Sequence, residues 1–121
     1  VVSDLKLVQR TYFDLKVENG NLVPVSGLEM KEQYVLLLVY STWKPLIGYG
    51  VDIRSFRGSR LDLVKPVILD RVARSVAFIN TFYPLEARLP EIKNVKVNFL
   101  SGILNILVEF MGMKVEITYG G

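Results

Sequence analysis

Val95-Lys96-Val97-Asn98-Phe99-Leu100-Ser101-Gly102-Ile103-Leu104-Asn105-Ile106-Leu107-Val108-Glu109-Phe110-Met111-Gly112-Met113-Lys114-Val115-Glu116-Ile117-Thr118-Tyr119 decides the fold. Val95, Val97 and Phe99 alternate with Lys96 and Asn98. Leu104, Ile106, Val108 and Phe110 form a second apolar face, and Met113, Val115, Ile117 and Tyr119 a third. A period of two marks half-buried strands, and Ser101-Gly102 and Gly112 supply the turns between them. The expected product is an antiparallel meander whose last strand lies at a sheet edge. Such an edge presents unpaired backbone groups, a template for pairing with another chain.

Working upstream, Tyr83-Pro84-Leu85-Glu86-Ala87-Arg88 breaks the chain before the meander, with Pro90 just beyond it. The pattern before this turn predicts a helix from about Asp62 to Phe82. Its buried stripe is Val64, Val67, Ile68, Val72, Val76 and Ile79, with Lys65, Asp70, Arg71 and Arg74 facing out. Pro66 is expected in the first turn, where a missing N–H costs nothing. Asp70 and Arg74 make an i,i+4 pair.

Residues 42–60, with Trp43, Pro45, Gly48, Gly50 and Gly58, read as an irregular basic connector. A connection of that length tends to be functional or to contain a short helix. Ser26-Gly27-Leu28-Glu29 fits a capping box, with Ser26 as N-cap and Glu29 at N3. The helix it opens runs to about Ser41. Leu28, Val35, Leu38 and Val39, with Met30, Tyr34 and Leu37 around them, imply burial on more than one side. Before it, Gln9 to Val17 alternates partly through Tyr12, Phe13 and Leu15. Glu18-Asn19-Gly20 then predicts a hairpin returning over Asn21 to Val25, with Pro24 at a strand end or edge. The fold class is therefore α+β: an N-terminal β-hairpin, then two helices packed on one face of an antiparallel sheet that ends in a three-stranded meander. Residues 1–121 read as a single domain.

Half of the 121 residues are hydrophobic and the mean hydropathy is +0.32, too apolar for disorder. Partners are expected to cover part of such a surface. Cysteine and histidine are both absent. No disulfide framework, thiol nucleophile or cysteine-ligated metal is available, and neither a catalytic triad nor a zinc site is expected. The longest apolar run, Tyr34 to Tyr40, is far short of the roughly 20 residues that cross a bilayer. Residues 1–8 carry no basic-then-apolar signal pattern.

The net charge of +3 is uneven. Lys44, Arg54, Arg57, Arg60, Lys65, Arg71 and Arg74 outnumber Asp52, Asp62 and Asp70 in one window, a candidate surface for a polyanion or an acidic partner. Tyr40, Trp43 and Tyr49 beside Arg54 and Arg57 have the residue types that clamp single-stranded nucleic acid, although such aromatics more often close a helix end. No phosphate loop is present, and Gly48-Tyr49-Gly50 lacks the third glycine of a dinucleotide loop.

Glycoside hydrolysis needs only two carboxylates. Glu86 with Asp52 or Glu29 is the candidate pair for a cell-wall muramidase, though solvated or paired acids are the commoner reading. Glu86 and Arg88 carry more weight. Held between Pro84 and Pro90, they form either a local ion pair or helix cap, or a charged prong inserted into a partner, where desolvation strengthens each contact.

One layout joins these parts. Asn19-Gly20-Asn21-Leu22-Val23-Pro24-Val25-Ser26-Gly27-Leu28-Glu29, a helix, Ile47-Gly48-Tyr49-Gly50-Val51-Asp52-Ile53, a long helix, an acid-x-Arg turn and terminal strands follow in order. From Tyr12 to Tyr119 this resembles the baseplate-wedge family of contractile phage tails, the gene-25-product family, which also occurs in type VI secretion baseplates. The resemblance implies a non-enzymatic structural protein of the virion tail, assembled in the host cytoplasm. Its expected partners are other wedge proteins and tail sheath subunits, with neither a cofactor nor a small-molecule substrate. In that family the turn reads Glu-Pro-Arg and docks on the wedge core, and the terminal strands start sheath assembly by strand exchange. Carried onto this chain, the docking residues are Glu86 and Arg88, and the strand offered to the sheath is Lys114, Val115, Glu116, Ile117, Thr118 and Tyr119. Ala87 stands where the family has proline. Some members have been labelled lysozymes.

Overall fold

A computed structural model describes residues 3–9, 13–15, 17–56 and 59–120. Tyr12, Arg57 and the side chain of Ser26, each given a role above, lie outside the described set. The meander forms as the alternation requires: β7 (Ile92–Leu100), β8 (Ile103–Phe110) and β9 (Met113–Gly120) pair antiparallel in the order β7-β8-β9. Ser101 and Gly102 take φ of 52° and 78°, the left-handed pair of a type I′ turn whose twist matches the flanking strands. Leu104, Ile106, Val108, Phe110, Met113, Val115 and Ile117 point to one face and are buried.

Two helices cover that face. α1 (Gly27–Tyr40) lies over β9, and α2 (Leu61–Phe82) lies over β7. The two outer strands of a three-stranded sheet are about 9.6 Å apart, twice the usual strand spacing. Packed helices sit about 8–10 Å apart, so one helix per outer strand fits. α1 contributes Met30, Tyr34, Val35, Leu38 and Val39 to the core, and α2 contributes Val64, Ile68, Val72, Val76 and Ile79. Leu28, expected on the buried face, is 52% exposed. It sits in the first turn of α1.

The N-terminal strands are more numerous than one hairpin. β4 (Val17–Glu18) and β5 (Asn21–Leu22) form the expected hairpin around Asn19 and Gly20, both at positive φ. It spans only two residues per strand. The chain on either side pairs elsewhere: β2 (Leu7–Gln9) with β3 (Phe13–Leu15), and β1 (Ser3–Leu5) with β6 (Pro24–Ser26). Pro24 stands at the first position of β6, where a missing N–H is tolerated. Lys6, between β1 and β2, donates its N–H to Val23 C=O at 2.7 Å, and its ammonium pairs with Glu29.

Two further expectations are corrected in α2. The helix begins at Leu61, so Pro66 is its sixth residue and lies in the second turn. There its missing N–H leaves the Asp62 carbonyl without its intrahelical donor. Arg71 does not face out: its guanidinium lies 4.9 Å from the Trp43 ring and 5.3 Å from the Phe56 ring, and it donates to Val51 C=O at 3.1 Å. The connector thus packs onto α2. It includes a single 3-10 turn, Ile53–Phe56, and buries Val51, Ile53 and Phe56 in the common core.

Candidate docking turn and sheet edge

The turn after α2 is held by hydrogen bonds rather than by its prolines alone. α2 ends when Tyr83 leaves helical geometry, its N–H still donating to Ile79 C=O at 2.9 Å. Pro84 cannot continue the helix, and Leu85–Ala87 form one 3-10 turn. Ala87 N–H donates to Pro84 C=O at 2.9 Å, and Arg88 N–H to Leu85 C=O at 3.3 Å. The Tyr83 ring meets Tyr34 of α1 edge-on at 5.2 Å.

One residue that sequence reasoning missed anchors the exit of this turn. The Asn80 side chain accepts Leu89 N–H at 2.7 Å and donates to Leu89 C=O at 3.2 Å. Leu89 and Ala87 are buried, so alternate residues of the segment face inward. Glu86 and Arg88, between and beside them, therefore face solvent. Neither side chain has a hydrogen-bond or ion-pair partner among the described residues. They do not pair with each other, and the end of α2 is capped by backbone, not by Arg88.

Ala87 is only 1% exposed, and its amide is used in the turn. A proline there could not make the bond to Pro84. The turn is also flanked by apolar surface: Phe82 is 71% and Leu85 72% exposed. Beside them Ile47, Gly48, Arg74, Ala77, Phe78 and Phe82 line an open groove of about 270 Å³.

At the sheet edge, β9 presents Lys114, Glu116 and Thr118 outward, whereas Val115 and Ile117 are buried in the core and offer only backbone. Asn105 on β8 donates to Glu116 at 2.9 Å and to Thr118 at 3.2 Å, fixing that outer face. Tyr119 is half-buried, its ring 6.0 Å from that of Tyr40. Among the described residues no strand pairs with the outer side of β9. The two edges of the sheet differ. Both edges carry outward lysines, but β7 also has a register irregularity between Ile92 and Asn94, a feature that blunts an edge. β9 runs in unbroken register from Met113 to Gly120.

Of the carboxylates considered as partners for Glu86, Glu29 is engaged by Lys6. In the basic window, Arg60 pairs with Asp62 at 2.9 Å and Arg74 with Asp70 at 3.0 Å. The Arg54 guanidinium lies 5.5 Å from the Tyr40 ring, and the Lys44 ammonium 5.7 Å from that of Tyr49. These bases and aromatics are thus engaged largely with one another. No described helix is long and apolar enough to cross a membrane. Comparison with protein-family models, with curated proteins and with solved structures finds no match to this chain.

Proposed function

We propose that this chain is a non-enzymatic structural component of a contractile-tail baseplate wedge. Glu86 and Arg88 dock on the wedge core, and the outer side of β9 takes a strand from a sheath subunit. The observation that carries this reading is the state of the docking turn. Two opposite charges stand exposed, without a side-chain partner among the described residues, on a segment fixed by Asn80, Ala87 and Tyr34, beside exposed Phe82 and Leu85. The fixed backbone presents both charges at a set position. In a partner's desolvated pocket the same pre-set geometry lowers the cost of binding. The layout from the Asn19-Gly20 hairpin to the terminal strands is the second support.

The test is assembly with the wedge and sheath proteins of the same tail. Arg88→Glu is expected to abolish co-purification with the wedge core while the thermal midpoint of the isolated chain stays unchanged. Normal assembly by this variant removes the docking role. A peptidoglycan zymogram of the purified chain is expected to show no clearing.

A further inference from the structure

By its own chemistry, the β9 edge is suited to pair with a second copy of itself. An antiparallel β9–β9 pair centred on Val115 would set Lys114 opposite Glu116 at both ends of the contact, on the exposed face. Met113 would meet Ile117 on the buried face. Lys114 has no ion-pair partner among the described residues to compete with this. Glu109, its neighbour in register, has its carboxylate 3.3 Å from Lys96.

The position of α1 forbids that pairing. α1 packs on the buried face of β9. In a continuous sheet the second copy's β9 would be about 4.8 Å away, carrying its own α1 on the same face. Two packed helix axes need about 8–10 Å. Sliding the register to clear the helices fails too. The 14 residues of α1 run about 21 Å, nearly the length of β9, and few paired residues would remain. Turning the copy over moves its helix to the other face but swings its Lys114 and Glu116 in beneath α1, where charges are costly. A strand without a helix on top meets none of these obstacles.

We infer that the β9 edge admits a lone extended strand and refuses a second copy of this chain. The strand it admits has apolar residues at alternate positions on the α1 side, and an acid and a base on the other side to meet Lys114 and Glu116. This rests on β9 being the partner edge, and it adds what kind of strand fits and why the protein does not use its own. α1 acts as a steric guard that keeps an unblunted edge from self-association while leaving it open to a tail or arm of another polypeptide.

The test uses the whole chain and a free peptide with the sequence of residues 113–119, capped at both ends. The peptide can make the Val115-centred pairing but carries no helix. Sedimentation of the whole chain is expected to show a monomer at all concentrations. Titration with the peptide should shift the amide resonances of β9 and α1 and protect the β9 amides from exchange. A second peptide with its lysine and glutamate exchanged sets like charges together at both positions. It is expected to bind about five- to tenfold more weakly at low salt, as two cross-strand charge pairs change sign. A dimer that protects the β9 amides overturns the exclusion. Absence of peptide binding, or equal binding of the two peptides, overturns the assigned strand. Failure of Arg88→Glu to disturb wedge assembly bears on the baseplate reading alone and leaves these outcomes intact.

Discussion

Asn80 grips Leu89 by both of its peptide groups, accepting its N–H at 2.7 Å and donating to its C=O at 3.2 Å. The last turn of α2 thereby fixes the segment that leads into β7. Everything between, the Glu86 and Arg88 turn included, is closed into a loop of defined geometry.

Asn80→Ala removes both bonds and leaves two partly buried backbone groups without these partners. The expected cost is about 1–3 kcal/mol in urea unfolding. Asn80→Asp keeps the acceptor and loses the donor, so it is expected to fall between the two. In both variants the resonances of residues 84–89 should broaden while those of β8 and β9 stay sharp.

Ala87→Pro tests the departure from the Glu-Pro-Arg pattern. The proline removes the donor to Pro84 and disfavours helical geometry at Glu86. A loss of about 1 kcal/mol is expected, the usual worth of one hydrogen bond. A rise in thermal midpoint would show that the turn gains more from rigidity than from this bond.

Gly50 has φ of 96°, and a Cβ there would lie 2.2 Å from the Thr42 carbonyl oxygen. Its N–H donates to the Ser75 hydroxyl, which in turn donates to the Arg71 carbonyl of α2. Gly50→Ala is expected to cost several kcal/mol, through both positive φ and a backbone clash, or to prevent folding. Ser75→Ala keeps the backbone intact but leaves the Gly50 N–H without that acceptor, and is expected to cost about 1–3 kcal/mol. Circular dichroism during urea titration reads both.

Burial raises the Tyr49 phenol above its usual range. The neighbouring Tyr83 adds to the shift, and a hydrogen bond with Ser41 opposes it. A raised folded-state value means that the native state holds this proton more tightly than the unfolded chain does. Its contribution to stability is full below about pH 10, the ordinary tyrosine value, and is lost as pH rises through the folded value. Unfolding free energy is expected to decline above about pH 10, and the decline should be shallower in Tyr49→Phe.

The strand and helix periods were legible because each element has one face toward a single core. Alternation over 95–119 sets which side chains of the meander are buried, and Asn19-Gly20 and Ser101-Gly102 dictate turns that favour positive φ. The two helices follow from apolar spacing in the same way. The basic window could not be resolved by composition. Arg71 and Lys65 look alike in sequence, and only the fold of the connector places Trp43 and Phe56 over one of them. The extra N-terminal pairings escaped because strands of two or three residues have too few positions to show a period.

For the candidate site, the sequence by itself determined an acid and an arginine two residues apart after a helix, and an alternating strand near the end of the chain. Those facts depend only on local order. Tertiary structure decided that the charges face solvent, since that depends on Ala87 and Leu89 finding the core and on Asn80 reaching Leu89 across nine residues. It likewise decided which strands form the two sheet edges and which helix packs on each, because strand order and helix placement come from pairings between distant residues.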